Sequence, residues 1–220
     1  MARKKNENAE LIELVRSNRH HITVKIVGDS DLILNKKTDR VIRELTAEDR
    51  KAQALLEKET ANPWEDAVTS IHWRDPFTVN SKSDYSEAMF FDLLENNAPC
   101  LSSFGLKKSW GQSVVRNELD KYATKFNAQV NIEKKLIPVT FAEYTRDIKP
   151  MEPPGLGKGV VTAKLHRFSG WSAEIPVSYT GVGYSLKEIL KIIDLAGFGL
   201  GIGSGTSSDY GRYHVEEVNA

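Results

Sequence analysis

The sequence predicts an α+β fold: a ferredoxin-like (RRM-like) βαββαβ core with a large insertion after the first strand and a glycine-rich loop before the last. Three observations predict it. Segments with strand and helix periodicity follow the order strand, helix, strand, strand, helix, strand once residues 32–99 are set aside. Residues 32–99 themselves lack that regularity and read as an inserted piece. Gly197, Gly199, Gly201, Gly203, Gly205 and Gly211 crowd the stretch between the last helix and the last strand. Two helices on one face of such a sheet leave the other face free, the surface that RRM-type domains use for nucleic acid.

Each element has a local cause. Ala9–Arg16 has helical apolar spacing and predicts a short leading helix. His21–Val27 alternates Ile22, Val24 and Ile26 with polar partners, and Gly28-Asp29-Ser30-Asp31 supplies the turn. Within the insertion, Thr46-Ala47-Glu48-Asp49 opens a helix through Lys58 with an acidic first turn, which Asn62-Pro63-Trp64 interrupts. Ser102 or Ser103 caps the longest predicted helix, running to about Phe126, with Leu106, Trp110, Val114, Leu119 and Tyr122 around one side. Ala128–Ile132 and Leu136–Phe141 follow as strands, and Pro138 places the second at an edge or a strand start. Residues 149–159, rich in proline and glycine, read as an exposed loop. Val160–Leu165 and Trp171–Tyr179 are expected to pair as a hairpin. Ser185 and Glu188 form a capping box for a helix that Gly197 ends, and Arg212–Val218 is the last strand.

Composition bounds the function without naming it. At 220 residues, and roughly 100–200 residues per domain, the chain reads as one domain spanning 1–220. Hydrophobic residues at 40% and charged residues at 27% are ordinary for a globular protein. No apolar run reaches the ~20 residues of a membrane span, which excludes a transmembrane class. Met1–Asn8 is basic and polar and lacks the apolar stretch of a signal peptide, so a cytoplasmic location is expected. Cys100 is the sole cysteine, which excludes an intrachain disulfide and a cysteine zinc site. Lys plus Arg and Asp plus Glu both total 30, so a polyanion has to be held by a local patch rather than by net charge.

The glycine-rich segment from Gly197 to Arg212 is the most informative, because glycine lets a backbone approach a ligand closely. It is not a dinucleotide fingerprint, since the glycines follow a helix and precede a strand. It is not a Walker A loop either, and Gly157-Lys158-Gly159 lacks the required hydroxyl. A flexible connection into the last strand accounts for the same glycines. Such a loop between the second helix and fourth strand of a ferredoxin-like unit, with an aromatic (Tyr210) and a basic residue (Arg212) near its end, resembles the RAMP superfamily of RNA-binding proteins, which includes CRISPR backbone subunits. Trp171–Tyr179 together with Ala196–Gly203 resembles more closely a family of small, uncharacterised bacteriophage proteins. Ile26–Leu34 and Pro99–Val115 share that resemblance more weakly, and Thr206-Ser207-Ser208-Asp209 departs from it where basic residues are expected.

The start of the long helix is the second candidate. Lys107, Lys108 and Arg116, with Trp110 between them, bring cations and a ring to a helix N-terminus, where the dipole favours an anion. The resemblance to RAMP proteins implies that Lys107 and Lys108 contact a nucleic-acid backbone. A solvated basic face with Trp110 in the core accounts for the same residues. Lys36, Lys37, Arg40 and Arg43 form a third cluster, either a nucleic-acid-facing arm or plain surface. Among the four tryptophans, Trp110 and Trp73 have the cationic neighbours that base stacking requires, while Trp171 sits at core spacing.

Catalysis has weaker support. Asp29 and Asp31 follow the first strand, where some RAMP ribonucleases keep an essential aspartate, but turn formation explains Gly-Asp-Ser-Asp equally. The five histidines show no metal-binding spacing, so no catalytic residue, metal or cofactor is assigned. The function expected is binding of single-stranded RNA or DNA by a homo-oligomer or a subunit of a larger complex. The alternatives are an assembly protein that grips a protein partner or itself, and a metal-dependent nuclease using Asp29 or Asp31.

Overall fold

The computed structural model describes residues 19–46, 62–151 and 161–219. The leading helix, the helix expected from Thr46 to Lys58 (its first residue apart) and residues 152–159 of the Pro/Gly loop lie outside these. Strand β1 (His20–Gly28) turns into β2 (Leu32–Leu34). Helices α1 (Asp39–Thr46) and α2 (Pro63–Thr69), strand β3 (His72–Trp73), helix α3 (Glu87–Asn96) and strand β4 (Pro99–Ser102) follow. Then come α4 (Ser103–Arg116), α5 (Thr124–Gln129), β5 (Val130–Ile132), β6 (Leu136–Thr140), β7 (Glu143–Met151), β8 (Val161–Ser169) and β9 (Ser172–Tyr179). Helix α6 (Leu186–Gly199) and strand β10 (Tyr213–Asn219) close the fold.

The main sheet has the order β10-β1-β9-β6-β4-β3, with β5 also paired to β9, and its pairings are antiparallel. Reading β1, β5/β6, β9 and β10 as the four core strands gives spatial order 4-1-3-2 with α4 and α6 as crossovers, the expected ferredoxin-like arrangement. Alternation explains the layers. Ile22, Val24 and Ile26 of β1 and Ala173, Ile175 and Val177 of β9 are buried, in one core with Leu106, Trp110 and Val114 of α4 and Ile189, Ile192 and Ile193 of α6. The opposite face carries Thr23, Lys25, Ser172, Glu174 and Glu216, with Lys25 and Glu216 paired at 2.5 Å. Its rings are the imidazoles of His21 and His214, each engaged by a carboxylate (Glu133 and Asp29), and among the described residues it carries no Phe, Tyr or Trp, so it lacks the exposed aromatic platform of the RRM kind.

A second sheet, β2-β8-β7, continues from the first through short connections at 29–31, 141–142 and 170–171. The hairpin expected between 160–165 and 171–179 is therefore absent. β8 pairs with β7 and β2, and the chain turns the corner at Gly170 (φ +59) into β9. Backbone pairing of β7 through Met151 also makes 149–151 strand rather than loop. Between the sheets' aromatic residues, His166 is almost wholly buried, its Nδ1 2.9 Å from Tyr144 Oη. Burial, and secondarily the nearby Arg146 charge, lowers its pKa to about 4. The folded state thus resists a proton that the unfolded chain binds near its ordinary 6.5. Stability is expected to fall as pH drops from about 6.5 to about 4, by at most ~1.4 kcal/mol per unit. His166→Gln is expected to flatten that acid limb in denaturant titrations, and an unchanged limb would assign it to other groups.

Helix α4 ends ten residues short of the expected Phe126. Asn117 turns its side chain onto Ser113 O at 2.9 Å, and Glu118 takes a left-handed φ of +55. The N–H groups of Glu118 and Leu119 bond back to Val115 and Val114, a Schellman closure. Leu119 and Tyr122 are consequently exposed. Pro138 lies inside β6 rather than at its start, where the strand passes from pairing with β4 (136–138) to pairing with β9 (139–140), so its missing N–H falls at the handover. Helix α6 runs past Gly197 to Gly199, and Gly197 serves packing rather than termination: β10 crosses there, where a Cβ would lie 2.0 Å from Tyr213 O. The described part of the inserted piece is no loose arm. Val68, Ile71, Trp73, Phe90 and Leu93 join the common core, and β3 and β4 extend the main sheet.

Candidate nucleic-acid interface

Helix α4 begins with Ser102 as its N-cap but with no side-chain cap bond and no acidic residue in the first turn. Its positive dipole end is thus left to other partners. Leu106, Ser109, Trp110, Ser113 and Val114 are buried, while Phe104, Lys108, Gln112, Val115 and Arg116 form the exposed stripe at helical spacing.

Three adjoining depressions surround this helix start. The first, about 480 Å³, is lined by Ser103, Phe104, Lys107, Lys108, Asn127, Asn131 and Ile132. The second, about 430 Å³, lies between the Lys108, Gln112 and Arg116 stripe and the glycine-rich loop, with Gly199 to Gly203, Thr206, Ser207 and Arg212 on its other wall. The third, about 190 Å³, adds Lys36 and His72. Lys108 belongs to the first two, and Gly105, Ile202 and Gly203 belong to the second and third. The lining holds the cations Lys36, Lys107, Lys108, Arg116 and Arg212 and no carboxylate.

Residues from three candidates that the sequence gives separately, Lys36, Lys107, Lys108, Arg116, Gly199, Gly201, Gly203 and Arg212, line these adjoining depressions, while two groups play other parts. Trp110 is fully buried, its Nε1 donating to Tyr213 Oη at 3.0 Å, and so stacks on nothing outside the core. Trp73 is buried too, donating to Val68 O at 2.8 Å. Most of the loop's glycines serve the loop itself. Gly201, Gly203, Gly205 and Gly211 all have positive φ, and Gly201 N, Ile202 N, Ser204 N and Gly211 N bond to Ala196, Gly211, Ile33 and Asp31 carbonyls. Gly201 and Gly211 are buried. Gly199 alone of these has open space where its side chain would be. Tyr210 packs beside Gly205, where its ring lies 3.0 Å from the site of a Cβ.

The electrostatics divide the cations. Among the described residues, no ion pair engages Lys107, Lys108 or Arg116. Arg212 bonds through Nη2 to Asp209 at 2.9 Å and to Thr206 O at 3.3 Å, while its buried Nη1 has no partner. Lys36 lies 3.7 Å from Asp39. Arg43 is tied at 2.5 Å to Glu65, away from the groove, Lys37 lies outside the lining, and the Arg40 side chain is outside the described residues. Asp31 pairs with Arg167 at 2.5 Å, and Asp29 accepts from His214 at 2.6 Å. Among the described residues no group of three metal-ligating side chains gathers. Cys100 is buried and its thiol is pushed up to about 11 by desolvation, an inert environment. No described helix is long and apolar enough to cross a membrane.

Phe104 is an aromatic lining residue that the sequence reading does not single out, as it does not single out Asn127, Asn131 or Gln112. A signal existed for Phe104, since it stands three and four residues before Lys107 and Lys108 on the same helix.

The sheet order and the crossover helices define a ferredoxin-like fold. A solved chain of the type III-B Cmr-beta assembly bound to cognate target RNA superposes on it with a TM-score of 0.53 at 12% identity, covering 99% of this chain and 66% of that one. Cmr6 from Pyrococcus furiosus is more distant, with a TM-score of 0.35 at 13% identity over 91% of this chain and 99% of that one. No family model and no curated protein matches the sequence.

Proposed function

We propose that this protein binds single-stranded RNA or DNA without cleaving it, holding the phosphate backbone in the groove around the start of α4. One observation carries the reading: a chain with formal charge zero gathers five cations and no carboxylate along that groove. Phosphate contacts of this kind supply sequence-independent affinity. The fold's likeness to a chain of an assembly bound to target RNA supports the same reading. The engagement of Asp29 and Asp31 by His214 and Arg167 supports a non-catalytic role. In this reading the protein acts in the cytoplasm, multimerises along the strand or within a larger complex, and is phage-encoded, as the Trp171–Gly203 resemblance implies.

A second reading, an assembly protein, is favoured by the apolar side chains of Val182 and Phe198, each 81% exposed. The two separate by the absorbance ratio and size-exclusion mass of the purified protein before and after nuclease. Copurifying nucleic acid in a nuclease-sensitive assembly is expected, whereas a clean oligomer that ignores added single strands favours assembly. The paired change Lys107→Glu and Lys108→Glu is expected to weaken binding. It is also expected to flatten the slope of log affinity on log salt by about 1.4, at ~0.7 per phosphate contact. An unchanged slope removes these lysines from the interface.

A further inference from the structure

We infer that the depression beside the first turn of α4 is a nucleobase pocket, in which one base of the bound strand stacks on Phe104 while Lys107 and Lys108 hold the flanking phosphates. The inference rests on the strand-binding reading above and adds to it a base contact where that reading supplies only backbone contacts.

Phe104 is 76% exposed at the N-terminal end of α4, on a wall of a cavity of about 480 Å³. That volume lies within the ~300–1,000 Å³ of small-molecule sites. The remaining lining is what a base requires. Ile132 supplies an apolar surface, Asn127 and Asn131 supply amides that both donate and accept, and Lys107 and Lys108 supply positive charge at the rim. The Asn127 Oδ1 has no hydrogen-bond partner but is buried beside Gly111, so this acceptor is enclosed in the wall and the polar contacts open to a base come from the other amide groups. Charge decides the occupant. An apolar segment of a protein partner gains nothing from two unpaired lysines and pays their desolvation, whereas a nucleotide presents a π-face to the ring and a phosphate to the ammonium groups. The tryptophans that would ordinarily supply stacking lie in the core, Trp110 and Trp73 being buried.

The test compares two single strands of equal length and phosphate number, one of ordinary nucleotides and one abasic, by fluorescence anisotropy at fixed salt. Phe104→Ala is expected to weaken the base-containing strand by roughly 5- to 150-fold, the range for one stacked base, and to leave the abasic strand unaffected. Phe104→Tyr is expected to restore binding, since it keeps the ring. Because the side chain is mostly exposed, both variants should fold, which a thermal melt verifies. Equal loss on both strands, or no loss on either, overturns the pocket while leaving phosphate binding in place if the Lys107→Glu and Lys108→Glu pair still weakens both. A lower size-exclusion mass for Phe104→Ala with unchanged strand affinity also overturns it, marking Phe104 as a contact between copies. Failure of the unaltered protein to bind either strand overturns the strand-binding reading and the pocket with it.

Discussion

Trp110→Ala is expected to lower unfolding free energy by about 3–5 kcal/mol, measured by urea denaturation, because a fully buried indole leaves a cavity that its neighbours fill only in part. The loss has a polar component as well. Trp110 Nε1 donates to Tyr213 Oη at 3.0 Å, and Tyr213 is itself buried, its acidity suppressed by desolvation. Removing the donor takes away that partner in a dry core, a deficit of about 1–3 kcal/mol where nothing replaces it. Trp110→Phe isolates that component, since it keeps most of the apolar volume. The Phe variant also separates packing from binding. Measured below its melting temperature, its affinity for single strands is expected to equal that of the unaltered protein, because the ring faces away from the groove. A loss as large as that of the Lys107→Glu and Lys108→Glu pair would return Trp110 to the interface.

The same helix explains how far the sequence could be read. Period alone puts Trp110 with Leu106 and Val114, four residues either side, which is the core stripe it occupies. Its cationic neighbours in sequence lie on other faces, so proximity along the chain pointed to stacking while helical geometry pointed inward. Phe104 is the converse case, a ring in register with Lys108 on the outer stripe. The core order β1, α4, β5/β6, β9, α6, β10 was legible because strand alternation and capping are local signals. The second sheet was not. β8 and β9 are contiguous strands with a two-residue connection at 170–171, the local signature of a hairpin, and only pairing with β7 and β2 assigns β8 elsewhere. The inserted piece was illegible for a similar reason, since Phe90 gains its burial against Tyr144 and His166, more than fifty residues away. Lys107, Lys108 and Arg116 on one side and Arg212 on the other were readable as two separate candidates, because a charge cluster at a helix start and a basic residue closing a glycine loop are local patterns. Their convergence in one groove is a long-range result, since α4 and α6 pack on one core and Ser109 Oγ donates to Gly201 O at 2.9 Å across 92 residues.

Two glycines of the segment that walls that groove, Gly211 buried behind it and Gly199 on its lining, are expected to respond oppositely to the same substitution. Gly211 has φ +69, and a Cβ there would stand 1.8 Å from Ile202 O, a backbone atom that side-chain motion cannot relieve. Left-handed strain of about 1–2 kcal/mol adds to overpacking of about 1–3 kcal/mol, so Gly211→Ala is expected to cost roughly 2–5 kcal/mol. The cost falls on the bonds that dock the loop, Gly211 N to Asp31 O at 2.8 Å and Ile202 N to Gly211 O at 2.9 Å. Arg212 and the Gly199–Gly203 wall then lose their positions, and strand affinity should fall although no cation has been removed. Gly199 closes α6 with open space beside it. Gly199→Ala is therefore expected to stay within ~1 kcal/mol of the unaltered protein, on the stabilising side. Paired thermal melts and anisotropy titrations check both. If Gly211→Ala unfolds the loop yet leaves strand affinity intact, the loop is scaffold alone and the α4 stripe carries the phosphates. If Gly199→Ala keeps its stability and loses affinity, the strand backbone runs against Gly199, where a methyl group obstructs it.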